Sequence, residues 1–191
     1  MTSNHKKYSS KNPIQKLLIL RFLKTISRLV SKIDAETLLD IGSGEGFVLK
    51  SILADNNLQA TALDPNENAL IELKKRLPNV QIKNDCIEHI PYKDNSFDLV
   101  VCCEVLEHLE EPASALKELK RVGRNYILSV PNEPWFSGMN LMRGRHITNL
   151  GCHPEHVQKW STKAFTKFVG RELKIIEVKS SFPWTIILAV K

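Results

Sequence analysis

The 191-residue sequence has no apolar run near the roughly 18 residues that span a bilayer. Its four cysteines (Cys86, Cys102, Cys103, Cys152) form no Cys-x-x-Cys pair. That is poor material for a disulfide framework or a structural zinc cage, and it suits a reducing, cytoplasmic setting. Leu17–Leu20 follows lysines as a signal core would, but Arg21 and Lys24 interrupt it and no small-residue cleavage site follows. Internal repeats and low-complexity segments are absent. An excess of charge is also missing from most of the chain. The net charge is +6, and residues 1–36 carry all of it, with eight bases (Lys6, Lys7, Lys11, Lys16, Arg21, Lys24, Arg28, Lys32) against Asp34 and Glu36. From residue 37 onward, 19 bases and 19 acids cancel. The body of the chain is therefore no generally basic, nucleic-acid-binding surface. A 42% apolar content suits one domain over residues 1–191.

Asn12-Pro13 is a helix-start signal, with Asn as cap and Pro in the first turn. From Ile14 to Ile33 apolar residues recur at Leu18, Phe22, Ile26, Leu29 and Ile33, while Arg21, Lys24, Arg28 and Lys32 line another side. This is a basic amphipathic helix. Strands are predicted at 37–41, 59–64, 80–83, 97–102 and 125–130, and helices at 46–55, 65–77 and 112–120. Their alternation implies an α/β, Rossmann-like doubly wound sheet with helices on both faces. An irregular stretch runs to Trp160, then a helix over 162–170. Strands at 173–179 and 185–191, joined by a turn at 180–183, would close about seven strands with an antiparallel one. The chain divides into a basic tail and helix (1–36), a core (37–130), an insertion (131–160) and a final helix and hairpin (161–191).

The densest chemistry is Asp40-Ile41-Gly42-Ser43-Gly44-Glu45-Gly46, a buried strand running through a glycine turn into a helix. Glycines there let a ligand approach the backbone and leave N–H groups at a helix start. The dinucleotide fingerprint requires glycine at position 47, where this chain has Phe47, and no P-loop Gly-Lys-Ser/Thr follows. An acid before the first glycine suits a ligand with an ammonium group. Asp64 ends the next strand, 24 residues after Asp40, placed for ribose hydroxyls. Asp85 follows the third strand, where an adenine amino group can donate to it.

Asp40-x-Gly-x-Gly-x-Gly46, Asp64, Asp85 and Phe97-Asp98-Leu99-Val100 resemble the motifs of class I S-adenosylmethionine-dependent methyltransferases. The run Asp94–Pro112 resembles the subgroup that includes quinone-biosynthesis methyltransferases. The resemblance covers residues 37–130, and the final hairpin fits the family's reversed seventh strand. It implies S-adenosyl-L-methionine as cofactor and S-adenosyl-L-homocysteine as product. Asp40 would lie near the methionine amino group, Gly42, Ser43, Gly44, Gly46 and Pro65 against the cofactor, Asp64 at the ribose hydroxyls, and Asp85 and the Cys86 amide at adenine. Cys103 and Glu104 would face the methyl group and the acceptor.

Glu104-Val105-Leu106-Glu107-His108 and Cys152-His153-Pro154-Glu155-His156 form a second constellation. The combination EVxEH…HPEHxxxWS also resembles metal-dependent methyltransferases of the 3′-terminal 2′-hydroxyl of small RNAs, which would make Glu104, Glu107, His108 and His156 metal ligands. The favoured expectation is that no metal is bound, and that Glu104, His108 and His156 stand on the acceptor side. Arg143, Arg145 and His146 are either solvated or contacts to an anionic acceptor. Trp135, Phe136, Met139 and Leu141 either cover an acceptor pocket or form a small core beneath a loop. Lys7-Tyr8 is placed to fold over the cofactor, although residues 1–6 read as a polar tail. The basic helix has three uses open to it: a solvated face, attraction of an anionic or lipid-linked acceptor, or contact with a membrane surface. The expected function is methyl transfer to a small-molecule or lipid-like acceptor. The alternatives are RNA 2′-O-methylation and a non-catalytic binding protein. Oligomeric state is not legible.

Overall fold

The computed structural model describes Tyr8, residues 12–133, Trp135 and residues 157–191. Short, largely buried runs give the strands β1 (Thr37–Ile41), β2 (Gln59–Leu63), β4 (Phe97–Cys103), β5 (Gly123–Pro131) and β7 (Trp184–Val190). Two edge strands, β3 (Gln81–Lys83) and β6 (Lys174–Ser181), are far more exposed. Helical spacing gives α1 (Pro13–Val30), α2 (Phe47–Asp55), α3 (Glu67–Arg76), α4 (Pro112–Val122) and α5 (Thr162–Val169). The sheet order is β3-β2-β1-β4-β5-β7-β6. Pairings from β3 to β5 are parallel, and β7 runs antiparallel to both β5 and β6. The expected Rossmann-like doubly wound sheet of seven strands is the one present.

Adjacent strand residues point to opposite faces, so Leu38 and Leu39 enter different cores. Leu39, Ile41, Val100 and Tyr126 pack with Leu116, Leu119 and Phe165 from α4 and α5. Leu38, Val101 and Ile127 pack with Phe22 and Ile26 of α1 and Leu49, Ile52 and Leu73 of α2 and α3. Both faces are thus covered, as parallel strands require.

Local chemistry sets the ends of the elements. The Asn12 side chain accepts hydrogen bonds from the Ile14 and Gln15 amides at 3.0 and 3.1 Å, starting α1 where the Asn-Pro signal put it. The helix stops at Val30, not Ile33, because the Lys32 and Ile33 amides turn to the Leu29 and Val30 carbonyls. Its buried stripe is Ile19, Phe22, Ile26, Leu29 and Val30. Asn66 caps α3 by accepting from the Ala69 amide, so that helix starts two residues after Pro65. A 3₁₀ turn at Leu106–His108, absent from the sequence reading, follows β4. No helix among the described residues is long and apolar enough to cross a membrane.

Asp98, part of the Phe97–Val100 motif, lies at the amino end of β4, away from the carboxyl ends of the strands. Its carboxylate accepts from the Glu36 and Thr37 amides (3.2 and 3.1 Å), the Thr37 hydroxyl (2.8 Å) and Arg124 (2.6 Å). The Thr37 hydroxyl is the main reason its pKa lies below the ordinary value. Asp98→Ala is expected to cost about 1.5–3 kcal/mol in urea denaturation. The wild-type advantage should be fully present above the unfolded carboxyl pKa and shrink as pH falls through the lower folded value.

Candidate cofactor and acceptor site

β1 pairs with β2 on one side and β4 on the other, and the chain crosses from one half of the sheet to the other there. At such a switch point the loops leaving the carboxyl ends diverge and leave a crevice. A cleft with about 380 Å³ of free space, open to solvent, lies there, lined by Tyr8, Gly42, Ser43, Glu45, Phe47, Val48, Cys103 and Glu104.

Gly42, Gly44 and Gly46 all adopt positive φ (67°, 50° and 76°). At Gly42 the lack of a side chain is also a matter of space, since a Cβ there would stand 2.2 Å from Val105 Cγ2. The glycine turn therefore nests against the exit of β4. Its amides are spoken for in part: Gly42 donates to the Leu63 carbonyl at 2.8 Å, and Gly44 to Asp64 Oδ2 at 2.8 Å. The other Asp64 oxygen accepts from the Asn66 amide at 2.8 Å. Two backbone bonds leave this buried carboxylate further lone pairs for a ligand's hydroxyls. Pro65 is exposed beside it, its carbonyl bonded by Asn84 Nδ2 at 3.0 Å. Gly46 is the N-cap of α2, which therefore has no side-chain cap.

Asp40 lies beneath the turn, buried. Its Oδ2 accepts no hydrogen bond among the described residues. Burial first, and the charge of Asp64 second, push its pKa up to about 8. The Ser43 hydroxyl is likewise buried and unpartnered among the described residues. Native interiors rarely leave such groups unsatisfied, so both fit a ligand that brings donors, an ammonium above all, into the cleft.

On the β4 side, Cys103 and Glu104 both line the cleft. Glu104 holds a left-handed backbone (φ 58°) while its amide donates to the Ser129 carbonyl at 2.9 Å. For a residue with a Cβ this is a strained conformation of the kind found at functional sites. Burial pushes the Cys103 thiol well up, so it is neutral and no nucleophile. Glu107 is buried, whereas His108, at the end of the 3₁₀ turn, is exposed. The Glu107 carbonyl accepts from both the Val157 and Gln158 amides at 2.9 Å. Among the described residues no three His, Cys, Asp or Glu side chains gather as metal ligands.

Asp85 and Cys86 follow β3, both half-buried. Here Asp85 Oδ1 accepts from the Cys86 amide at 3.0 Å, so the pair expected to meet adenine bond to each other. His156 and its neighbours Cys152 and His153 lie outside the described residues, as do Lys7, Phe136, Met139, Leu141, Arg143, Arg145 and His146.

Four residues absent from the sequence-based site, Glu45, Phe47, Val48 and Arg76, join it here. Tyr8 stacks on Phe47 with ring centroids 4.6 Å apart and planes 8° from parallel. The Arg76 guanidinium lies over the Phe47 ring, 3.9 Å from the centroid, and also donates to the Glu45 carbonyl. Burial, then the nearby Glu104, Cys103, Asp40 and Glu45, keep the Tyr8 phenol protonated. The one sequence signal was an aromatic ring where the dinucleotide fingerprint has its third glycine.

Comparison with known proteins agrees with this geometry. A methyltransferase-domain family matches residues 39–126. A probable S-adenosylmethionine-dependent methyltransferase of Mycobacterium tuberculosis is 33% identical over 113 residues, covering 58% of this chain and 41% of that one. The chain thus spans about two fifths of the length of that curated relative. Among solved structures, the methyltransferase domain of bacterial CtHen1 superposes with a TM-score of 0.71 at 21% identity, covering 91% of this chain and all of that one. Magnesium protoporphyrin IX methyltransferase from Synechocystis PCC 6803, with bound S-adenosylhomocysteine, gives 0.71 at 19% identity over 98% of this chain and 92% of that one. At such identities the likeness is one of fold. Over residues 39–126 the chain is thus similar to a methyltransferase-domain family, and its sheet has the fold of solved methyltransferases.

Proposed function

We propose that the chain transfers a methyl group from S-adenosylmethionine to a small-molecule or lipid-like acceptor. The supporting observation is the make-up of the cleft. Among the described residues its lining includes Tyr8, Phe47 and Val48 and two carboxylates, Glu45 and Glu104, with no Lys, Arg or His. These residues offer a polyanionic acceptor no counter-charge, whereas an uncharged one meets Tyr8, Phe47 and Val48 beside the two carboxylates. The resemblance of Asp94–Pro112 to quinone-biosynthesis methyltransferases points the same way.

When bound, the cofactor supplies an electrophilic methyl group on a sulfonium and departs as S-adenosylhomocysteine. The chain has to hold, align and shield. Asp40 and the glycine turn would hold the methionine end, Asp64 and Pro65 the ribose, and Asp85 with Cys86 the adenine, once their mutual bond opens. Glu104 and Cys103 stand where an acceptor would meet the methyl, and Tyr8 shields that wall from water.

Asp64→Ala removes the acceptor for two backbone amides as well as for the ribose, so cofactor binding should fall below detection by calorimetry. Unchanged affinity in that variant would sink the site assignment. For the acceptor, methyl transfer is measured over a panel of uncharged aromatic and lipid-like hydroxyl and amine compounds. Transfer confined to RNA 3′ ends and lost with a chelator would overturn the acceptor class. That second reading draws on the bonds from Val157 and Gln158 to Glu107, which bring the chain after His156 to the turn bearing Glu107 and His108. It requires Glu104→Ala and His156→Ala each to lose bound manganese. Cofactor binding with no transfer to any acceptor would leave a non-catalytic binding protein.

A further inference from the structure

The outward face of α1 is the largest feature the methyltransferase reading does not use. The helix Pro13–Val30 carries Lys16, Arg21, Lys24 and Arg28 and no acid. None of the four is salt-bridged among the described residues, whereas Lys32, just past the helix, pairs with Glu177 at 2.6 Å. Interleaved with these cations, Ile14, Leu17 and Leu20 are 64%, 56% and 45% exposed. Their opposite neighbours Ile19, Phe22 and Ile26 are the ones that hold the helix to the sheet. The helix is apolar on two sides, and only one of them is buried.

That free side starts at the cleft end of the molecule. Tyr8, four residues before the capping Asn12, lines the cleft. Phe22 packs on Trp184 with centroids 4.8 Å apart, and Trp184 pairs with Pro131 at the carboxyl end of β5. Two further exposed aromatics, Trp135 and Phe182, contact each other edge to face at that same end.

We propose that this face of α1 docks on an anionic lipid bilayer, with Ile14, Leu17 and Leu20 entering the headgroup–acyl boundary and the four cations held among lipid phosphates. Amphipathic helices of low overall hydrophobicity with basic flanks bind in this way. A second copy of the chain is a poor occupant, because a two-fold contact would set these cations against their own copies. RNA is a poor occupant too, since the side chains between the cations are aliphatic and offer no ring for a base to stack on. The proposal does not depend on the acceptor, because bilayer binding is read with neither cofactor nor acceptor present.

The test is flotation of the full chain with vesicles of phosphatidylcholine alone and of phosphatidylcholine with phosphatidylglycerol in equal parts. Binding is expected only to the anionic vesicles, and it should weaken as salt is raised. With each surface cation worth about 1 kcal/mol, the double variant Arg21→Gln, Lys24→Gln should bind about thirtyfold more weakly. The double variant Leu17→Ser, Leu20→Ser should lose at least about tenfold through forfeited apolar burial. Both alter exposed side chains, so thermal melting and cofactor affinity should match the wild type. Equal binding to neutral vesicles, no binding to either, or binding untouched by both variants would overturn the proposal. So would a Leu17-dependent dimer in sedimentation, or Arg21-dependent RNA binding, without vesicle binding.

Discussion

Replacing Asp40 by Asn is expected to make the protein more stable and to weaken its binding of S-adenosylmethionine. The wild-type carboxyl is buried, with a pKa near 8 against 3.8 for the free group. The folded state therefore holds a proton that the unfolded chain has released at neutral pH, and folding must take that proton up. This cost is absent below the unfolded pKa, grows as pH rises and is complete above the folded value. Asn is neutral throughout and nearly the same size. At pH 7 the variant should gain ~2–4 kcal/mol, a rise in melting temperature of roughly 5–10 °C. At pH 4 the two proteins should melt together.

Affinity moves the other way. A cationic ligand group is best met by the ionised carboxylate, which wild type reaches by releasing its proton. S-adenosylmethionine affinity should thus climb between pH 6 and 8, by up to about tenfold per unit. It should fall again as the ligand's own α-amino group, with a pKa of about 8, loses its charge. Asp40→Asn should flatten the rising limb and weaken binding by at least about thirtyfold. Calorimetry at several pH values checks both limbs, and a rising limb that survives in the variant would assign that proton elsewhere.

Gly42→Ala is the second large effect, and it is steric. The new methyl would stand 2.2 Å from Val105 Cγ2, on a backbone with φ 67°. Neither the turn nor the exit of β4 can yield freely. The Gly42 amide is anchored to Leu63, and Glu104, next to Val105, is anchored to Ser129. A loss of ~3 kcal/mol or more is expected, from overpacking and left-handed strain together. Cofactor affinity should fall at least about a hundredfold, because relief of the clash must shift the turn that lines the cleft and positions Asp64. Adding Val105→Ala should restore much of the stability, since it removes the atom that clashes. The φ penalty stays. Denaturant titration of the two single variants and the double separates the terms.

The sheet and the glycine turn were legible because their causes are local. Asp40 to Gly46 can be read as strand, turn and helix start from seven consecutive residues, and the strands on either side announce themselves by buried runs. Distant approaches left no such trace. That the missing glycine at position 47 is a ring sandwiched between Tyr8 and Arg76 depends on three segments meeting in space. Nor does Glu107-His108 look divided in sequence. A 3₁₀ turn buries the first side chain and exposes the second, and helix-start reasoning carries no signal for it. Cys86 shows a third limit, since a backbone amide's partner cannot be read from a side-chain pattern.

The sandwich of Tyr8, Phe47 and Arg76 has a kinetic consequence. It joins the segment before α1 to the turn that carries the glycines, so a molecule passing through that wall must first unstack a ring pair. Parting them forfeits about 0.5–1.5 kcal/mol, which would slow passage by a factor of about two to ten. For a ligand leaving by that wall, the residence time would lengthen by that factor through a tyrosine more than thirty residues away from the turn.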